Sequence, residues 1–166
     1  YLSLNGMNPL ISYKMGVHAE YTCDRALLEE VSALVHKYRT PFYAHMSETK
    51  LETDECIGRY NMTPPQFFDS LGLFDFGGGI YHGVYLTEED MDLFAKKGIG
   101  VVTNPGSNTK LASGIAPVGR FLEKGLCVGI GTDGPSSNNC LDMFREMFLV
   151  TGLAKLLQKD ASAVDA

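Results

Sequence analysis

The chain has 166 residues, 45% hydrophobic and 20% charged, which is enough for one sizeable core and too few for two ordinary domains. Its 14 Lys and Arg against 20 Asp and Glu leave a net charge of −6 with no basic run, which argues against a nucleic-acid partner. No stretch of about 18 apolar residues is available to cross a membrane.

Short apolar runs alternate with amphipathic helical patterns. Residues 14–18 form the first run. Asp24 then caps a helix whose apolar stripe is Leu27, Leu28, Val31, Leu34, Val35 and Tyr38. Residues 41–45 are the second run, followed by a helix over about 52–60 and a short one opened by Thr63-Pro64. Residues 79–82 are the third. Thr87-Glu88-Glu89-Asp90 caps a helix carrying Met91, Phe94 and Ala95, which stops at Gly98. Residues 100–104 are the fourth run. Asn104-Pro105-Gly106-Ser107-Asn108 reads as a turn-rich loop, and the helix after it holds Val118, Phe121 and Leu122 and stops at Gly125. Residues 127–131 are the fifth run, ending in Thr132-Asp133. Ser136, Ser137, Asn138 and Asn139 are expected to cap a long final helix with Met143, Phe144, Met147, Phe148 and Leu153 in the core.

Strands that alternate with helices predict parallel pairing. Their near-continuous apolar character predicts burial on both faces. An open doubly wound sheet and a barrel both satisfy this. No GxGxxG follows the first strand and no GxxxxGK[ST] occurs, so the nucleotide-binding open sheets lose their best support. The four cysteines (Cys23, Cys56, Cys127, Cys140) lack CxxC spacing, and the N-terminus lacks a secretory leader. The expectation is free thiols in a cytoplasmic protein. With no initiating Met, the chain is also expected to be a piece of a longer polypeptide.

The strand ends carry His18, His45, His82, Asn104 and Asp133, one per unit. In a barrel all such ends converge on one face, where catalytic groups collect. The remaining histidine, His36, lies late in a helix and reads as solvated. Imidazole and carboxylate together suit Zn²⁺ or Fe²⁺ better than Mg²⁺ or Ca²⁺. Glu48, three residues after His45, is either a proton carrier facing the same pocket or a carboxylate favoured by a helix N-terminus. Asp133, flanked by Gly131 and Gly134, is either a site residue or the cap of a turn.

Several segments together resemble one family. They are Val17-His18-Ala19-Glu20-Tyr21-Thr22-Cys23, His45-Met46-Ser47-Glu48-Thr49-Lys50, the stretch from Asn104-Pro105-Gly106-Ser107-Asn108 through Lys110-Leu111-Ala112-Ser113-Gly114 to Pro117, and Gly131-Thr132-Asp133-Gly134-Pro135. They are similar to the amidohydrolase superfamily, in its 5′-methylthioadenosine/S-adenosylhomocysteine deaminase and chlorohydrolase-like group. The resemblance implies an α/β fold, the C-terminal part of a (β/α)₈ TIM-type barrel with about five parallel βα units over residues 1–166. It implies one divalent metal, Zn or Fe, with His45 and Asp133 as ligands. Glu48 would protonate the substrate ring, His82 would orient the attacking hydroxide, Asp133 would take its proton, and His18 would contact the substrate. The implied substrate is a purine nucleoside of the adenosine type. Alternatives are guanine or a triazine, or a non-catalytic scaffold.

Two departures from the family pattern stand out. Tyr85 occupies a position where the family carries a histidine. The family's His-x-His pair, which completes the metal site, does not occur in these 166 residues. The expectation is a partial barrel, inactive and weakly metal-binding alone, whose open strand edges favour self-association.

Overall fold

The computed structural model describes residues 1–164 and contains one five-stranded parallel sheet. Its strands are β1 (Met15–Gly16), β2 (Phe42–Met46), β3 (Gly78–His82), β4 (Ile99–Thr103) and β5 (Val128–Ile130). The helices between and after them are α1 (Arg25–Tyr38), α2 (Lys50–Tyr60), α3 (Pro64–Ser70), α4 (Glu88–Lys97), α5 (Pro105–Lys110), α6 (Val118–Glu123), α7 (Pro135–Asn138) and α8 (Met143–Gln158). Spatial order equals chain order, β1-β2-β3-β4-β5. A doubly wound sheet reverses direction at a switch point. This one never does, so each βα unit adds to the same side, and the sheet is an arc of a (β/α)₈ barrel.

Local chemistry starts the helices where the sequence predicts. The Asp24 carboxylate accepts the Leu27 N–H and opens α1. Thr49 with Glu52, Thr63 with Gln66, and Thr87 with Asp90 form reciprocal capping boxes on α2, α3 and α4. Gly98, at φ 67°, ends α4 in the left-handed conformation that costs glycine little. Buried Asp90 also accepts the Thr63 hydroxyl at 2.6 Å, tying the start of α3 to α4.

The core lies between one face of the sheet and the helices. Phe42, Ala44, Met46, Ile80, Ile99 and Val101 point into it from the strands. Phe68, Phe74 and Phe94 meet them edge to face, with ring centroids 5.6 Å apart for Phe42–Phe68 and 5.7 Å for Phe74–Phe94. Gly78, at φ 143°, sits where a side chain would strike the Phe42 backbone, so β2 and β3 approach closely there.

The structure corrects several expectations. Burial alternates along β2 and β4, so one sheet face is buried and the other, carrying Tyr43, His45, Gly100 and Val102, is only half-buried. Strand sequence alone reports apolarity, not which face is covered. The α1 stripe divides: Leu28, Val31 and Val35 are buried, while Leu27, Leu34 and Tyr38 are exposed. On α8, Phe144 (82%) and Phe148 (74%) are exposed, as are Met143 and Met147, and Leu153 is half-buried. Asp142 caps α8, because its carboxylate accepts the Phe144 and Arg145 N–H groups; Ser136, Ser137 and Asn138 form α7 instead. Residues 105–110 are helical, not a loop.

His36 is paired, not merely solvated. Its Nδ1 lies 2.8 Å from the Ser32 carbonyl and its Nε2 3.1 Å from the Asp75 carboxylate. Both partners are acceptors, and both ring nitrogens donate only in the imidazolium. The Ser32 carbonyl first, then Asp75, therefore raises its pKa above the ordinary 6.5. The stability this supplies is complete below pH 6.5 and is lost as pH rises through the raised folded value. The unfolding free energy lost in H36A is expected to be larger at pH 6 than at pH 8.5, by no more than about 1 kcal/mol at this exposure. Urea titration at the two pH values checks this, and equal losses would contradict a charged pair.

Candidate active site

The strand register places the predicted histidines side by side. β2 pairs with β3 through His45↔Tyr81 and Met46↔His82. β1 continues its pairing one step past its last strand residues: the His45 N–H donates to the His18 carbonyl at 2.9 Å. The His18 and His45 ring centroids lie 4.8 Å apart, and those of His45 and His82 lie 5.5 Å apart. Across the sheet, His45, Tyr81, Val102, Asn104, Gly131 and Asp133 line one cavity of about 400 Å³. A larger cavity of about 540 Å³ lies beside β1 and is lined by none of the strand-end residues.

Each side chain is oriented by a partner outside the cavity. His45 Nδ1 faces the same His18 carbonyl at 2.8 Å. A carbonyl only accepts, so Nδ1 carries the proton and Nε2 keeps its lone pair. This is how metal-ligating histidines are commonly held. His82 is fully buried, with Nδ1 2.8 Å from the Asn108 side-chain oxygen. Its Nε2 is 3.6 Å from Glu48 Oε2, too long for a hydrogen bond. Glu48 Oε1 accepts the Ser113 hydroxyl at 2.9 Å. Asp133 Oδ2 accepts the Ser107 hydroxyl at 2.7 Å, and its Oδ1 accepts the Gly134 N–H at 2.7 Å. Burial alone would raise the Asp133 carboxyl. The Ser107 hydroxyl, the Gly134 N–H, His82 and Ser137 outweigh it and hold Asp133 below the usual carboxylate range.

The backbone is strained at these corners. Ser47, His82 and Asp133 have φ values of 52°, 74° and 59°, a region side-chain-bearing residues seldom occupy. The Ser47-Glu48 turn is held by buried Glu52, whose carboxylate accepts the Ser47 and Glu48 N–H groups at 2.8 Å each. The loop after His18 is anchored by buried Glu20, whose carboxylate accepts from Arg59 Nη2 at 2.6 Å. Asn104 is buried beside Gly131, where any side chain would strike the Asn104 oxygen. Tyr85, at the departure from the family pattern, donates its backbone N–H to the Ser47 carbonyl.

All the predicted residues therefore lie along one end of the sheet. His45 and Asp133 share the cavity, His82 and Glu48 face each other, and His18 stands beside His45. Among the described residues, no group of three or more His, Cys, Asp or Glu side chains is placed to hold a metal. Sequence reasoning missed Glu52, Ser107, Asn108 and Ser113. The signal available for two of them was Pro105 at a first helical position, which would have put Ser107 and Asn108 on a helix.

The amidohydrolase family profile matches residues 4–166. The 5-methylthioadenosine/S-adenosylhomocysteine deaminase of Dictyoglomus thermophilum is 42% identical over 162 residues, which is 98% of this chain and 38% of the relative. The 5′-deoxyadenosine deaminase of Methanosphaera stadtmanae is 40% identical over 164 residues, 99% of this chain and 39% of the relative. The zinc-bound crystal structure of an adenosine deaminase from Xanthomonas campestris superimposes with a TM-score of 0.90 at 38% identity, covering 98% of this chain and 37% of that one. The chain thus spans less than two-fifths of the length of these relatives.

Ser47 offers a test of the strained corner. Its buried hydroxyl has no hydrogen-bond partner among the described residues, and its φ suits glycine. S47G removes both penalties against glycine's greater unfolded-state entropy, so it is expected to stabilise the chain by about 1 kcal/mol in urea unfolding. A destabilised variant would show that the hydroxyl supports the turn.

Proposed function

This chain belongs to the amidohydrolase family, and we propose that residues 1–166 are a partial barrel domain furnishing part of the active site of a metal-dependent hydrolytic deaminase. Its substrates are adenosine-type nucleosides resembling methylthioadenosine or S-adenosylhomocysteine. The observation that carries the reading is the shared cavity of His45 and Asp133, with the His45 Nε2 lone pair left available by the His18 carbonyl. The adenosine-type substrates after which the relatives are named support the substrate class.

His45 Nε2 and the Asp133 carboxylate fit a divalent cation, zinc or iron, by donor type. They are two of the three or four protein ligands zinc takes, so the set is completed from outside this chain. When bound, the cation would supply Lewis acidity and make water acidic enough to yield hydroxide at neutral pH. The chain's own residues do the rest. Asp133, its two oxygens steadied by Ser107 and Gly134, accepts the proton of the attacking water. His82, its Nδ1 turned to Asn108 and its Nε2 on the side of Glu48, orients the nucleophile. Glu48 delivers a proton to the ring nitrogen beside the carbon under attack. His18 contacts the substrate. Water enters, ammonia leaves, and the ring amino group is replaced by oxygen.

The four cysteines are free, which supports a cytoplasmic setting. No helix among the described residues is long and apolar enough to cross a membrane. β1 and β5 each pair on one side alone within the described sheet, and these edges would let the isolated chain self-associate.

Ammonia release from methylthioadenosine by the complete polypeptide carrying this segment tests the proposal. E48Q is expected to lower kcat about 10²–10⁴-fold with bound metal unchanged. A variant that turns over at the parental rate overturns the role of Glu48.

A further inference from the structure

Three of the site contacts come from one short piece of chain. α5 and the turn after it carry Ser107, Asn108 and Ser113, exposed to 0%, 1% and 4%. Ser107 donates to Asp133, Asn108 accepts from His82, and Ser113 donates to Glu48, 65 positions away in the chain. The three targets come from three different stretches: the corner after β2, the end of β3, and the residues beyond β5. Each is thus held from the same nine-residue segment, 105–113.

That segment is itself clamped from behind. Glu146 of α8 is fully buried, and its Oε2 accepts the Gly106 N–H while its Oε1 accepts the Asn138 amide at 2.7 Å. Gly106 has no room for a side chain, which would strike the Glu146 carboxylate. α5 can therefore neither tilt nor slide without breaking a buried carboxylate's hydrogen bonds and leaving polar groups orphaned.

We propose that residues 105–113 act as a single positioning bracket, and that Ser113 selects which oxygen of Glu48 carries the transferable proton. The proposal rests on the deaminase reading for its catalytic consequence, but not for its geometry. A carboxyl oxygen that accepts a hydroxyl proton keeps its lone pairs turned to that donor. With Oε1 so engaged by Ser113, the acid proton resides on Oε2, the oxygen that faces His82. Without Ser113 the Glu48 carboxyl loses the donor that fixes its plane, so neither the oxygen it presents nor its aim is set. Ser113 is a positioning residue: it acts through Glu48 and touches no reacting atom.

Two measurements test this. In the complete polypeptide with methylthioadenosine, S113A is expected to lower kcat about 10–100-fold while KM stays within about twofold, and S113T, which keeps the hydroxyl, restores most of the loss. An S113A enzyme with parental kcat, or an S113T enzyme as impaired as S113A, would overturn the proposal. In the same complete polypeptide, a double-mutant cycle of S113A and E48A in urea unfolding is expected to show non-additivity of about fivefold in the unfolding equilibrium constant. Additive losses would remove the contact and the proposal with it. If the parental polypeptide releases no ammonia, the deaminase reading fails, and the unfolding cycle still decides the bracket.

Discussion

The hydrogen bonding of β2 to β3 in the register Met46↔His82 sets His45, Glu48 and His82 at one rim, and the ladders on either side bring His18 and Asp133 to it. Parallel strands laid down in chain order bring their C-terminal ends to one rim. Residues separated by tens of positions then become neighbours without any local sequence relation. The same ladder, extended from β1, puts the His18 carbonyl against His45 Nδ1 and so decides which imidazole nitrogen is free. One backbone group thus serves the sheet and the site together. A slip of one residue in this pairing would turn His45 into the helix-covered face and bring Ala44 or Met46 to the cavity.

Orientation at the rim is fixed by groups that do not enter the cavity. Glu52 holds the turn that carries Glu48, Arg59 and Glu20 hold the loop after His18, and residues 105–113 hold Glu48, His82 and Asp133 at once. Three of the corners, at Ser47, His82 and Asp133, adopt left-handed backbone that costs roughly 1–3 kcal/mol each. Such strain persists only where surrounding contacts over-determine it. Here those contacts are buried carboxylates and hydroxyls, which is why the site depends on residues that look structural.

The strands, their capped helices and the rim residues were legible in the sequence because each rests on local chemistry: β-rich runs, Thr and Asp caps, and a polar residue where an apolar run stops. Alternation alone left a doubly wound sheet and an arc both open; the family resemblance pointed to the arc, and the order of pairing bears it out. α5 was hidden because Pro105, Gly106, Ser107 and Asn108 favour turns by propensity; what holds them helical is Glu146, forty positions away. The apolar faces of α1 and α8 misled for a related reason. Periodicity marks Leu27, Leu34, Phe144 and Phe148 as apolar but not which neighbour covers them, and within residues 1–164 nothing buries them. Ser113 could not be linked to Glu48 by any spacing rule, because the contact exists only once β2 and the segment after β4 are side by side.

Zinc anomalous diffraction from crystals of the complete polypeptide tests the central claim most directly. A single peak is expected about 2.0–2.2 Å from His45 Nε2 and from an Asp133 carboxylate oxygen, with His45 Nδ1 still turned to the His18 carbonyl. A peak on His45 Nδ1, or a metal bound away from the His45–Asp133 cavity, would contradict it.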